Sequence, residues 1–209
     1  MGDMIQTEGV TEAQKNNRIN VLAQVGLLSA VIVLMAFTPL GYLRFSVIEA
    51  TLLMIPVALG AIRLGPRVGA WLGAVFGLTS FAQCFGISWF GTQLASISLL
   101  ATFVTAMVPR VLMGILVALI YRALVRSKSR ETFAMGAAFF ASALLNTILF
   151  VGLFYLLFGS SDFVRDMQAG RSLMVFLAWF IGINGIVELI AATVGGSIIG
   201  TALQRAGVL

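Results

Sequence analysis

The fold is decided by residues 95–125, which read ASISLLATFVTAMVPRVLMGILVALIYRALV. This stretch is long enough to cross a bilayer, because a spanning helix needs about 20 apolar residues. Arg110 lies near its centre and is the only charged residue between Arg67 and Arg122. A charge at membrane depth costs about 2.5–3.5 kcal/mol on insertion scales, so such a residue usually faces a bundle interior or a cavity. Arg110 is therefore the first candidate for a substrate or ion site.

The composition of the whole chain points to the same environment. Of its 209 residues, 60% are hydrophobic and 10% are charged, whereas soluble domains carry about 25% charged residues. Histidine is absent and Cys84 is the single cysteine, which excludes an internal disulfide and any multi-cysteine metal site. There is no GxxxxGK[ST] loop for ATP. We predict an all-α polytopic membrane protein with no metal and no cofactor.

The apolar runs predict a bundle of about six transmembrane helices. Residues 1–18 read as a polar cytoplasmic tail, and residues 19–209 as one substrate-binding transmembrane domain. Polar or glycine-bearing loops are expected at Gly41–Ser46, Gly86–Gln93 and Gly159–Arg171. The predicted helices are Asn20–Phe37, Glu49–Arg63, Pro66–Phe85, Ala95–Val125 with Pro109 at a kink or at the start of its regular part, Thr132–Phe158 and Leu173–Gln204.

The basic residues predict the orientation of these spans. Cytoplasmic loops of membrane proteins carry an excess of lysine and arginine. With six spans and both termini inside, nine basic residues are cytoplasmic and three are outside, and this bias accounts for the net charge of +5 without nucleic acid. The inner set is Lys15, Arg18, Arg63, Arg67, Arg122, Arg126, Lys128, Arg130 and Arg205, and the outer set is Arg44, Arg165 and Arg171.

A few other polar residues interrupt the apolar helices. Asn184 and Glu188 are four residues apart, so they share one face of the sixth predicted helix. Asn146 is similarly isolated in the fifth. One interpretation is a structural network in which Arg110 pairs with Glu188. The other is a substrate site in which Arg110 supplies a counter-charge and the other three supply hydrogen bonds. The two interpretations are compatible if ligand completes the network.

Small residues and aromatic residues each allow two interpretations. Ala23, Gly26 and Ala30 lie on the first helix, and Gly26-x-x-x-Ala30 is a pattern that lets helix backbones approach closely. It predicts either packing within the bundle or docking of a partner. A row at Gly69, Gly73 and Gly77 predicts internal packing, against the second helix. The outer loops are rich in aromatics, which indicate either ordinary interfacial anchoring or a lid over a ligand; they include Tyr42 and Trp89.

Several stretches together resemble a known family. The sequence is similar to the substrate-binding S components of energy-coupling factor vitamin transporters over about residues 20–200, and most similar to the pantothenate-specific members. Met54 is a departure, because members often have histidine just before the Ile-Pro of the second helix. The stretches that carry the resemblance are 37–42 (FTPLGY), 50–57 (ATLLMIPV), 60–70 (GAIRLGPRVGA), 73–81 (GAVFGLTSF), 108–114 (VPRVLMG) and 184–188 (NGIVE).

The resemblance implies a six-helix bundle that captures a vitamin and cannot pump it alone. It implies a site near the outer face, built from the first and third loops and helices four to six, with Tyr42, Trp89, Arg110, Asn146, Asn184 and Glu188 as candidates. It implies three partners, namely a transmembrane coupling protein (EcfT) and two cytoplasmic ATPase subunits, and so favours docking at Ala23, Gly26 and Ala30. The chain itself would lie in the lipid bilayer. Because its partner subunits are the ATPases, it would need no ATP-binding loop of its own.

Other functions fit the sequence less well. A secondary transporter commonly has internal repeats, and none is evident between residues 20–100 and 110–200. An intramembrane enzyme would need a nucleophile with a base, or a metal set, so we expect no enzyme activity. Another carboxylate vitamin would suit Arg110 as well as pantothenate does, because a guanidinium binds carboxylates in general.

Overall fold

The structure is a computed structural model that describes residues 2–38, 41–43, 50–125 and 131–206. Within these ranges the side chains of 2–17, 42, 43, 50, 183 and 184 are not described. The predicted all-α class is confirmed. The described helices are α1 Gly2–Ala36, α2 Met54–Leu64, α3 Pro66–Gln83, α4 Trp89–Ile97, α5 Leu99–Leu124, α6 Glu131–Phe158, α7 Asp162–Gln168, α8 Leu173–Ile190 and α9 Gly196–Arg205, with a π-helical turn at Ala191–Gly195.

Four described segments are long and apolar enough to cross a membrane. The prediction of a polytopic membrane protein is thus confirmed, although length and composition alone support four spans where six were predicted. α2 is a shorter apolar helix, as is the first part of α8, Leu173–Gly182. The four segments are Arg18–Ala36, Leu99–Leu124, Glu131–Phe158 and Gly185–Arg205.

Three serines begin helices where the sequence analysis placed loops or a continuous helix. Ser88 caps α4, Ser98 caps α5 and Ser161 caps α7, each by accepting a hydrogen bond from a backbone N–H three residues later. Serine is a favoured helix N-cap because its hydroxyl satisfies one of the first N–H groups of a helix. The predicted loops Gly86–Gln93 and Gly159–Arg171 therefore contain short helices, and the predicted helix Ala95–Val125 is broken at Ser98. α5 itself continues through Pro109.

The second and sixth predicted helices also differ from the structure. α2 begins at Met54 because the chain before it forms β2 (Ala50–Thr51), which pairs antiparallel with β1 (Tyr42–Leu43). The predicted helix Leu173–Gln204 is divided into α8, the π-helical turn and α9. Gly182 has a non-helical conformation with positive φ inside α8, and glycine adopts such a conformation readily.

At the other end of the chain, α1 extends back through the residues predicted as a tail.

The glycine row of α3 packs against α5. A Cβ at Gly69 would collide with the carbonyl oxygen of Gly114, and a Cβ at Gly73 would collide with the carbonyl oxygen of Arg110. Such close backbone approach is possible only for very small residues. The predicted internal packing is therefore confirmed, but the helix brought closest is α5 and not α2. Because the backbone of Arg110 is part of this contact, the contact fixes the position of Arg110 along the bundle axis.

We expect Gly73→Ala to destabilise the protein by about 1–3 kcal/mol, because the added methyl group overpacks a backbone contact that cannot yield without moving a helix. The change should lower the midpoint of thermal unfolding of the detergent-purified protein. It should also weaken ligand binding, since Arg110 would move with its backbone.

Gly152→Ala on α6 is the matched control. Gly152 is exposed, and nothing lies within 4 Å of the position its Cβ would take. Alanine has the higher helix propensity, so this variant should be as stable as the parent protein or slightly more stable. Equal midpoints for the two variants would show that the α3–α5 contact is less tight than described.

Two groups of buried side chains form the interior. The first joins α1, α2, α3, α5 and α6 and includes Ile32, Leu72, Phe76 and Met113. The second is mostly aromatic and joins α4, α6, α7 and α8. Aromatic rings of this second group are stacked or tilted against each other, and those of Phe154 and Phe180 are stacked with 5.0 Å between ring centres. A cavity adjoins this second group, and Phe90, Leu94 and Phe180 contribute to its wall.

Candidate functional site

The cavity beside the second buried group is where the isolated polar residues converge. Its volume is about 130 Å³, roughly ten times the least space that holds one buried water. Its aromatic wall is formed by Phe90, Phe150 and Phe180. Its principal polar groups come from β2, α3, α5, α6 and α8: Thr51, Gln83, Arg110, Asn146, Thr147 and Glu188.

Pro109 and Arg110 act together in α5. Proline has no backbone N–H, so the carbonyl oxygen four residues earlier loses its helical donor. That oxygen belongs to Thr105, and Arg110 Nη1 donates to it at 2.9 Å. The bond satisfies the carbonyl and directs the guanidinium back along α5, as long helical side chains prefer. The sequence Pro-Arg therefore positions the charge as well as supplying it.

Two phenylalanines hold the guanidinium from other helices. Arg110 Cζ lies 5.3 Å from the ring centre of Phe76 on α3 and 4.8 Å from that of Phe150 on α6. Cation–π contacts of this kind are more favourable when water is excluded, and the Arg110 side chain is only 8% exposed. The charge is thus held in a fixed position at the cavity wall.

Glu188 is hydrogen-bonded mainly to other parts of the protein. Its Oε1 accepts from the backbone N–H of Thr51 at 2.7 Å, and its Oε2 accepts from the Thr147 hydroxyl at 3.4 Å. Asn146, the neighbour of Thr147 on α6, lines the same cavity as this carboxylate. Glu188 therefore fastens β2 and α6 to α8. Across the described residues, Glu188 and Arg110 form no direct salt bridge, although both line the same cavity.

The structure brings together three of the six predicted substrate-binding residues. Arg110, Asn146 and Glu188 are all buried and line one cavity, although they lie on three helices. The side chains of Tyr42 and Asn184 lie outside the described part of the structure. Their backbones are placed in β1 and α8, which both adjoin the site.

Trp89 is placed differently from the prediction. Its side chain is 57% exposed and packs on Phe163 of α7, with ring centres 5.9 Å apart. The next residue, Phe90, is buried and lines the cavity instead. Gln83 is a cavity residue that the sequence analysis missed. The only signal for it was an amide at the end of the apolar helix α3.

The predicted docking residues lie on the outside of the bundle. Ala23, Gly26 and Ala30 are all exposed, and nothing lies within 4 Å of the position a Gly26 Cβ would take. Larger side chains beside them, such as Leu22 and Leu27, are exposed as well. Packing inside this protein therefore does not account for the Gly26-x-x-x-Ala30 pattern.

Comparison with known proteins agrees with this architecture. The family described as "ECF transporter, substrate-specific component" matches residues 20–200. The chain is 29% identical to the pantothenate transporter PanT of Leuconostoc mesenteroides subsp. mesenteroides, covering 92% of this chain and 98% of that protein. It is 32% identical to the pantothenic acid transporter PanT of Lactococcus lactis subsp. cremoris, covering 76% of this chain and 80% of that protein.

These matches confirm the resemblance found in the sequence, and with it a role in vitamin transport and not in enzyme catalysis. They cover nearly all of the transmembrane region, including every helix that lines the cavity. The chain belongs to the family of substrate-specific components of ECF transporters.

Proposed function

We propose that this chain captures pantothenate in the cavity around Arg110. The single observation that carries the proposal is a guanidinium buried at a cavity wall, at membrane depth, in a cavity that also presents amide and hydroxyl groups. Pantothenate has a carboxylate that a guanidinium can bind in a bidentate manner, and hydroxyl and amide groups that suit the polar wall. The names of the two relatives support the same substrate.

We propose the following division of roles. Arg110 binds the carboxylate, Asn146 offers hydrogen bonds to the rest of the vitamin, and the aromatic wall covers its apolar part. Glu188 holds β2 and α6 in place, and we expect any direct contact with the vitamin to be secondary. Tyr42 and Asn184 remain candidates through the position of their backbones, and Trp89 is a surface residue of the segment that covers the cavity.

The test is direct binding to the purified protein. Isothermal titration in detergent should show saturable binding of pantothenate, and other carboxylate vitamins should fail to displace it. Mass spectrometry of small molecules released from the protein as purified from cells should detect the same compound. If a different carboxylate vitamin displaces pantothenate, the proposed role of Arg110 stands, but the proposed substrate is wrong.

We further propose that transport needs the coupling protein EcfT and two cytoplasmic ATPase subunits, and that the coupling protein docks on α1. The orientation that fits this arrangement has both termini in the cytoplasm, supported by the excess of basic residues in the loops assigned to that side. The absence of a Walker loop from the sequence supports the need for an external ATPase.

The isolated chain should therefore bind vitamin without accumulating it. In liposomes that contain only this protein, labelled pantothenate should not exceed its external concentration, with or without a proton or sodium gradient. Liposomes that also contain the coupling protein and ATPases should accumulate the vitamin when ATP is enclosed. Concentrative uptake by the chain alone would identify it as a secondary transporter.

A further inference from the structure

Gln83 is a buried amide with its two ends in different surroundings. It is the last residue of α3 and is only 2% exposed. Its Nε2 donates to the carbonyl oxygen of Ala36, the last residue of α1, at 2.7 Å. The side chain also lines the cavity. One end of the amide therefore holds α1, and the other is left for the cavity.

The orientation of this amide follows from its neighbours. A flipped amide would place its oxygen against the Ala36 carbonyl oxygen, so the hydrogen-bonding partner fixes the assignment. Among the described residues nothing donates to Gln83 Oε1. Gln83 Oε1 is also not among the fully buried polar atoms that lack a partner, so it remains open to the cavity that the side chain lines. An acceptor in this position can receive a hydrogen bond from a donor on the ligand.

Asn146 on α6 lines the same cavity, but its amide oxygen is fully buried and has no hydrogen-bond partner among the described residues. Gln83 therefore offers the more accessible amide oxygen of the two. The Arg110 cation lies in the wall of the same cavity. A ligand that contacts both Gln83 and Arg110 there has an anionic group and a hydrogen-bond donor.

We infer that Gln83 is a further vitamin-binding residue, whose amide oxygen accepts a hydrogen bond from a hydroxyl or amide N–H of the ligand. The inference rests on the proposed function, because pantothenate carries a carboxylate together with hydroxyl and amide donors. It goes beyond that function because it assigns recognition of the two ends of the ligand to different residues. Arg110 recognises the carboxylate, and Gln83 determines specificity for one hydroxyl or amide N–H donor.

The test compares pantothenate with three derivatives that each lack one donor: either hydroxyl replaced by hydrogen, or the amide nitrogen methylated. The parent protein should bind at least one derivative roughly three- to tenfold more weakly than pantothenate, the range expected for one neutral hydrogen bond. In Gln83→Met, discrimination against one of the three derivatives should disappear while discrimination against the other two remains.

Thr79→Val is the matched control on the same helix. Thr79 is buried one turn before Gln83, and its hydroxyl donates to the carbonyl oxygen of Phe76 within α3. This residue is not part of the cavity wall. The control should leave discrimination against all three derivatives unchanged.

The outcomes separate this inference from the proposed function. If Gln83→Met weakens pantothenate and all three derivatives by the same factor, Gln83 has only a structural role and the inference is wrong. If Gln83→Met does not fold, Gln83→Lys keeps a donor for the Ala36 carbonyl oxygen and removes the acceptor. This variant should lose discrimination against the same single derivative, and retained discrimination against all three would also overturn the inference. Failure of the parent protein to bind pantothenate would overturn the proposed function and this inference together.

Discussion

Replacement of Arg110 by glutamine is expected to weaken pantothenate binding by roughly thirty- to several-thousand-fold. This range corresponds to the 2–5 kcal/mol typically lost when one member of a buried, hydrogen-bonded charge pair is truncated. The effect should be large because the guanidinium is already fixed by Thr105, Phe76 and Phe150, so binding needs little further ordering of this side chain. Glutamine retains hydrogen-bonding capacity but loses the charge.

The alcohol analogue of pantothenate, which lacks the carboxylate, separates two roles for Arg110. If Arg110 binds the carboxylate, Arg110→Gln should weaken the alcohol much less than the acid. Equal weakening of acid and alcohol, with the protein still folded, would instead make Arg110 a structural partner of the network around Glu188. Both affinities can be measured by isothermal titration on one preparation of each variant.

Arg122→Gln provides the matched control for this experiment. Arg122 lies in the last turn of the same helix, is exposed, and takes no part in the cavity wall. The same change of charge at this position should leave both affinities unaltered. A similar loss in both variants would point to a general effect of net charge and not to a contact at the cavity.

The helices were predictable because long apolar runs have few alternatives in a bilayer. The errors in the fold came from local signals weaker than hydropathy. Ser88, Ser98 and Ser161 each begin a helix, but a serine within an apolar region is equally compatible with a helix interior or a loop. The strand pair before α2 could not be predicted, since two residues per strand give no alternation to detect.

The polar residues of the site were predictable only where their isolation was conspicuous. Arg110, Asn146 and Glu188 stand out because polar and charged groups are rare and costly at membrane depth. Gln83 lies at a helix end, where polar residues are common, and its importance depends on Ala36, 47 residues away in sequence. The backbone N–H of Thr51 could not be recognised at all, because every residue except proline carries one.

The choice between Trp89 and Phe90 shows a different limit. Both are aromatic and adjacent, and in a helix neighbouring residues point about 100° apart. Only one of them can face the cavity once α4 has formed. Which of the two faces the cavity depends on the start of α4 at Ser88, which could not be predicted. The more amphipathic residue, Trp89, is the one at the surface.

Replacement of Gly26 by leucine should abolish docking of the coupling protein and leave vitamin binding intact. Small residues on a membrane helix permit close backbone contact, and a leucine side chain separates the two helices. Gly26 is exposed and has open space at its Cβ position, so the larger residue causes no collision within this protein. Co-purification with the coupling protein should fall by more than about tenfold, as for loss of an interface hot spot.

Ala30→Leu tests the same surface one turn later in α1, and Gly152→Leu is the matched control. Gly152 is also exposed on a spanning helix with open space at its Cβ position, but it lies on α6. All three variants should bind pantothenate as the parent protein does, while only the two α1 variants lose the coupling protein and vitamin uptake in the reconstituted complex. Retained co-purification in both α1 variants would place the docking surface on another helix. Loss of vitamin binding together with the fold would mean that α1 packs inside the protein through these residues after all.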